Sequence, residues 1–363
     1  MSNGPASLRL ISGVGAKGPA CFLVEAAGKR LMLDLGEGPP PGLFPRLDGI
    51  GAIDALVLSH GHKDHVGGLS LLGKLGNPPV HATESVARGL PEGLPVRLLP
   101  MNGRSEICGI EVETGRNGHA PGGVWLRFNI GGGFLYTGDM SAESFLYAYD
   151  PPKTSTAAAL LDCSYGGYDK PIAACRDQLA AIAGRGPLLL PVPANGRGPE
   201  IALEFFRRGR TDIFVDDAMQ AALQRLPGSD SASIHADVGN DLKRLAATVQ
   251  PIEDARGIML AASADGASGA SGRLLAQWEQ QTEPAIVLTG YVNPNTPADR
   301  LAKSGRAQTM RWNVHPRLPD TVALVRSIDA KTVIPAFCDQ SQLTVLAEAL
   351  RPARVTMDPV IAL

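Results

Sequence analysis

Nowhere in the 363 residues is there a run of about 18 consecutive apolar side chains, so no stretch can form a membrane-spanning helix. The N-terminus, Met1-Ser-Asn-Gly-Pro, lacks the charged-then-apolar pattern of a secretory signal. The 5 cysteines are scattered, none in a C-x-x-C pair, which argues against a disulfide framework and against a zinc ribbon. A reducing cytoplasm is the expected compartment. Charge is nearly balanced at −2, so the chain exerts no global attraction on nucleic acid, and such a partner must be held by a local groove. No internal repeat is found. Hydrophobic residues at 44% and charged residues at 19% describe an ordinary globular chain, long enough for two modest domains or one domain carrying an insertion.

Histidine is also scarce, at 7 residues, yet three of them fall within six positions of each other. The stretch is Asp54-Ala-Leu-Val-Leu-Ser-His-Gly-His-Lys-Asp-His-Val-Gly-Gly68. Ala55 to Leu58 reads as a buried strand, and the Gly67-Gly68 pair opens a helix at Leu69. Residues two apart in an extended segment face the same side, so His60 and His62 can grip one cation. The turn throws Asp64 and His65 to the other flank, where they can grip a second. Imidazole and carboxylate donors suit zinc and, less selectively, manganese or iron.

The first half reads as strands and hairpins. Cys21 to Ala26 and Arg30 to Gly36 form one hairpin ending in Asp34; Val124 to Ile130 and Phe134 to Asp139 form a second ending in Gly-Asp. Ser105 to Thr114 is a strand pair, and Ala157 to Leu161 is a buried strand ending at Asp162. From Pro171 onward strands alternate with helices, which indicates a parallel α/β unit. Ser263 to Gly272 is Gly/Ser-rich, but the helix and strong strand that follow it mark a tight functional loop, not a linker. Each cation of a two-metal hydrolase needs about three protein ligands, more than the first motif supplies. His119, in a Gly-rich loop before the second hairpin, and Asp139, at its end, are the further candidates.

In this order Asp34, His60-Gly-His-Lys-Asp-His65, His119 and Asp139 resemble the signature motifs of the metallo-β-lactamase superfamily, over residues 8 to about 165. The resemblance implies an α/β fold, a four-layer αββα sandwich. It puts His60, His62 and His119 on one metal, Asp64 and His65 on the other, and Asp139 between them. Asp34 would support the motif loop without binding metal. Two divalent ions are implied, zinc first and manganese as the alternative.

The second half resembles the β-CASP nucleases, the group that contains ribonuclease J and the polyadenylation endonuclease. Leu160-Leu-Asp-Cys-Ser-Tyr-Gly166 is similar to their Glu-Ser-Thr-Tyr-Gly segment, and Gly196-Arg-Gly-Pro-Glu200 to their Gly-Arg-x-Gln-Glu helix start. The Gly/Ser loop resembles their Ser-Gly-Met-x-x-Gly-Gly loop, Thr289 to Arg300 their Gly-Tyr-Gln motif, and Trp312 to Asp320 the segment bearing their motif B histidine, here His315. The implied organisation is a metallo-β-lactamase part at 1–169, an α/β insertion at 170–285 capping the metal site, and a returning part at 286–363.

The resemblance implies phosphodiester hydrolysis on single-stranded RNA, or DNA, by metal-activated hydroxide. Asp64, His315 and Asp162 are the implied catalytic residues, with His315 as general acid held by Asp162. Gly196, Arg197, Ser268 and Gly269 would offer donors to a phosphate. Basic side chains that could line a groove are Arg197, Arg207, Arg208, Arg300 and Arg317. The family's motif C histidine is replaced, most naturally by Phe337, which removes a ligand of the second metal; Cys338 or Asp339 could substitute. Two other readings stay open: hydrolysis of a small ester, lactone or cyclic phosphodiester, and an inactive binding subunit. No membrane partner is expected, no appended RNA-binding or dimerisation domain is expected, and a homodimer is left open.

Overall fold

Cys21–Ala26 and Lys29–Leu33 pair antiparallel from Phe22↔Leu33 to Ala26↔Lys29, the hairpin expected from the apolar runs on either side of Ala27-Gly28. They are the middle of a seven-stranded sheet. Ser7–Ser12 and Val360–Ala362 extend one side antiparallel, while Ala55–Val57, Val80–Thr83 and Val96–Leu99 follow in parallel on the other. A second seven-stranded sheet runs Arg354–Val355, Thr332–Ala336, Ala158–Asp162, Phe134–Tyr136, Val124–Phe128, Ile110–Arg116 and Gly103–Ile107. The structure is a computed structural model and describes residues 6–363.

The two sheets share one core. Phe22, Leu31 and Val57 from the first meet Val112, Phe128, Phe134 and Leu160 from the second in one buried cluster. On the outer face of the first sheet, Leu23, Met32 and Leu56 pack with Leu69, Leu72 and Leu75 of the 3-10 helix Leu69–Leu75. On the outer face of the second, Leu135, Ala159 and Leu161 pack with Leu324 and Val325 of the helix Leu318–Ser327 and Leu346 of the helix Leu343–Ala349. Strands buried on both faces read as continuous apolar runs, as Ala55–Val57 and Ala158–Asp162 do. The result is the four-layer αββα sandwich.

Asp34, Ser59-His60, Asp139, Asp162 and Phe337 all lie at or just beyond the carboxyl ends of strands in these sheets. That edge is where open α/β sheets display ligand-binding loops.

The chain divides into two compact units. The sandwich takes residues up to Ala142, Ala148–Asp169 and His315–Leu363; the second unit takes Glu143–Tyr147 and Lys170–Val314. A six-stranded parallel sheet forms the second unit, in the order Gln250–Pro251, Ile213–Val215, Ile258–Ala261, Leu188–Pro191, Ala285–Leu288, Ala307–Thr309. Helices Ile172–Ala183, Arg197–Arg207, Asp217–Arg225 and Gly239–Thr248 cover one face, and Gly269–Trp278 and Pro297–Lys303 the other. The boundary expected at 285/286 is therefore corrected to 314/315. Ala285–Leu288 pairs with Leu188–Pro191, and Ala307–Thr309 pairs with Ala285–Leu288, so both strands belong to the second unit's sheet. Among the described residues no helix is long and apolar enough to cross a membrane.

Candidate metal centre

Asp34 is fully buried at a backbone φ of 55°, a conformation aspartate tolerates better than most side chains. Its carboxylate accepts from Ser59 N and Ser59 Oγ, each at 2.7 Å, from His65 Nδ1 at 2.7 Å, and from the Tyr136 hydroxyl. These bonds fix tautomers. Ser59 spends its one proton on Asp34, so its oxygen is an acceptor for His60 Nδ1–H at 3.1 Å. The lone pair of His60 is left on Nε2, which is buried without a hydrogen-bond partner. By the same logic His65, donating through Nδ1, turns Nε2 toward Asp139 Oδ1 at 3.2 Å.

Backbone contact holds the motif loop in place. Gly36 N and Asp64 O both bond to Ala20, and a Cβ on Gly36 would lie 1.8 Å from Asp64 O. Gly138, at φ 55°, lets the Tyr136-Thr-Gly-Asp turn approach Ser59, whose Cβ would meet an added methyl at 2.6 Å. Asn117 Oδ1 accepts from His119 N at 3.1 Å and orients the loop that presents His119.

Five of the 7 histidines converge here. His60, His62, His119 and Asp139 place one donor atom each within 4.8 Å of one another; so do Asp64, His65 and Asp139, and so do Asp139, Asp162 and His315. Asp139 belongs to all three groups. His62 Nδ1 and His119 Nε2 are 3.0 Å apart, and His119 Nε2 is 3.4 Å from Asp139 Oδ2. Two imidazole nitrogens that close, beside an orphaned buried nitrogen and a carboxylate, are what a cation with nitrogen and oxygen ligands requires. The residues present fit a metal.

For His60 and Asp139 the electrostatics agree. Burial, then the neighbouring His65 and His62 charges, push His60 well below the ordinary histidine value, which keeps it a neutral donor. Burial alone would raise Asp139, but His65, His315 and His119 outweigh it and hold the carboxyl well below its usual range. Burial likewise opposes charge on His65, while Asp139 and Asp34 raise it well above normal.

His315 Nδ1 donates to Asp162 Oδ2 at 2.8 Å, which leaves Nε2 as the ring nitrogen outside that bond. Asp162 is itself held by Met140 N, Ser164 N and Ser164 Oγ. Burial lowers the His315 pKa, but Asp162 and Asp139 more than reverse it, and the net shift is upward. Asp162 thus reaches His315 directly.

Phe337, also at positive φ (61°), sets its ring edge-on to His65 with centroids 5.2 Å apart. Neither substitute joins a donor group. Asp339 accepts from Ser341 N, and burial pushes the Cys338 thiol up to about 12.

In the second unit Gly196 precedes the helix Arg197–Arg207, Arg197 Nε donates to Thr289 Oγ1 at 2.9 Å, and Ser268 precedes the helix Gly269–Trp278. The Gly/Ser loop is tied internally, with Ser271 Oγ donating to Ser263 O and accepting from Ser263 N. Three of the arginines expected along a groove are held in ion pairs. Arg207 pairs with Asp241, Arg208 with Glu204 and Asp177, and Arg317 with Asp320. Ser59, Tyr136 and Asn117 were not legible as site residues: each lies in an unremarkable strand or loop stretch, and Tyr136 meets Asp34 across 102 residues.

Residues 14–182 match the family model for the Metallo-beta-lactamase superfamily. Among curated proteins, the chain is 26% identical over 249 residues to "Transcription termination factor FttA" of Cenarchaeum symbiosum, covering 54% of this chain and 38% of that one. It is 25% identical over 369 residues to "Endoribonuclease ysh-1" of Neurospora crassa, covering 80% and 43%. The chain thus spans less than half the length of either relative. Among solved structures, a protein of unknown function from Enterococcus faecalis V583 superposes with a TM-score of 0.62 at 15% identity, over 99% of this chain and 100% of that one, a likeness of fold alone. Residues 14–182 thus resemble the Metallo-beta-lactamase superfamily, and the curated relatives include a protein named as an endoribonuclease.

Proposed function

We propose that this chain is a metal-dependent phosphodiester hydrolase, a nuclease acting on single-stranded nucleic acid with RNA favoured over DNA. The observation that carries the reading is the convergence of three donor groups on Asp139, with the His315–Asp162 pair beside the two that suit a cation. The names of the relatives, an endoribonuclease among them, support RNA as the substrate class.

His60, His62, His119 and Asp139 would hold one cation, and Asp64, His65 and Asp139 a second, with zinc the first choice for both and manganese compatible. When bound, such a cation supplies Lewis acidity, polarising a phosphate oxygen and bringing the pKa of water toward neutrality. The chain's own residues do the rest. Asp34 fixes the tautomers of His60 and His65 through Ser59 and its own carboxylate. Asp162 orients His315 through Nδ1, and the Asp162 and Asp139 carboxylates raise its pKa and so favour its protonated form. In an in-line displacement His315 then protonates the departing oxygen. Gly196, Arg197, Ser268 and Gly269, which stand at the starts of two helices, are assigned to hold a substrate phosphate.

The test is a zinc-loaded protein assayed on labelled single-stranded RNA, on single-stranded DNA and on a chromogenic phosphodiester, with His65→Ala as control. RNA cut faster than DNA, with both lost in the variant, is the expected outcome. Cleavage of the small ester alone would overturn the nuclease reading.

A further inference from the structure

The second donor group differs from the first in two ways. It has three side chains against four, Asp64, His65 and Asp139, and the apolar Phe337 ring stands edge-on against His65. It also has a cation of its own. Lys17 Nζ lies 3.9 Å from Asp64 Oδ2, and both side chains are about a quarter exposed, at 27% and 26%.

Lys17 does not reach there on a free loop. The segment between Ser7–Ser12 and Cys21–Ala26 is pinned to Asp64 near one end and to Phe337 and Gln340 nearer the other. Ala20 N donates to Asp64 O at 2.8 Å, Phe337 N to Gly13 O at 2.7 Å, and Gln340 N to Gly15 O at 3.1 Å. The backbone that carries Lys17 is thus registered against Asp64 on one side and Phe337 on the other. The ammonium is close enough to act on His315 as well, where its charge opposes protonation.

We propose that Lys17 is the resident cation of the Asp64 edge, so that the chain holds one divalent ion tightly at His60, His62, His119 and Asp139 and a second only weakly. An ammonium and a dication a few ångströms apart repel, and the same carboxylate cannot fully neutralise both. With three protein donors and an apolar ring beside them, the second group has little to set against that repulsion. The Lys17 charge would then face a substrate phosphate from the side where a second ion would otherwise stand. This inference rests on the metal reading proposed above.

The test is zinc titration of the chelator-stripped full chain, read by competition with a chromophoric chelator, for the wild type, Lys17→Met, Lys17→Arg and His119→Ala. The wild type is expected to take up one tight equivalent and a second at least about 10-fold weaker. Lys17→Met should tighten the second equivalent by about 10-fold or more and leave the first unchanged, while Lys17→Arg, which keeps the charge, should behave as the wild type. His119→Ala should lose the tight equivalent. Two equally tight equivalents in the wild type, or a second equivalent unmoved by Lys17→Met, would overturn the proposal. No zinc bound by the wild type would instead overturn the metal reading beneath it.

Discussion

A buried carboxylate that accepts four hydrogen bonds from three side chains and a backbone amide cannot be replaced without orphaning some of them. Asp34→Asn keeps the shape but turns one oxygen into a donor that faces donors. The expected loss in unfolding free energy is about 3 kcal/mol, measured by denaturant titration. Zinc affinity should fall about 10- to 100-fold as His60 and His65 lose their fixed tautomers. The His315–Asp162 pair gives a sharper signature. His315→Ala should slow RNA cleavage about 100-fold or more yet scarcely change cleavage of a diester with a nitrophenolate leaving group, which departs without a proton. Equal losses on both substrates would contradict the acid role. At this scale His60, His62, Asp64 and His65 were legible because they are contiguous and histidine is scarce. Asp139 was legible through its place at a hairpin end. Ser59 was not, since a serine next to a histidine carries no signal until Asp34 folds against it, and Lys17 looked like any lysine in a Gly-rich loop.

Elements meet at the site through contacts too close for any side chain but hydrogen. A methyl at position 36 would collide with the backbone carbonyl of Asp64, which cannot swing away, because it accepts from Ala20 N. Gly36→Ala should therefore cost at least about 3 kcal/mol and reduce zinc binding with it, read as a lowered unfolding midpoint and lower metal content. On the opposite sheet Asp150 holds the end of Ile110–Arg116, which leads to His119. It accepts from Arg116 N, Arg116 Nε, Arg116 Nη2 and Asn102. Burial would raise its pKa, but those bonds lower it from 3.8 to about 2. A folded-state pKa below the unfolded one means the stabilisation is complete above about pH 4 and vanishes as pH falls through about 2. Wild type and Asp150→Asn should accordingly differ by about 1–2 kcal/mol at neutral pH and converge in acid. The hairpins and the alternation of strand and helix were readable from apolar runs and turn residues. Which sheet Ala285–Leu288 joins was not, because a short apolar strand suits any parallel sheet and its partner, Leu188–Pro191, lies about a hundred residues earlier.

Over the whole molecule, three sheets are each covered on both faces, and the histidine cluster sits at strand ends of one unit. The near-neutral net charge leaves function to that local chemistry and not to a global field. The central claim is that this cluster is a metal centre that hydrolyses phosphodiesters. The measurement that tests it most directly is the rate of RNA cleavage by chelator-stripped protein as zinc is added back in known equivalents, for the wild type and for His119→Ala. The account predicts no cleavage without metal, a rise to a plateau as the tight site fills, and no rise in the variant. Cleavage that persists without metal, or that returns equally in His119→Ala, would contradict it.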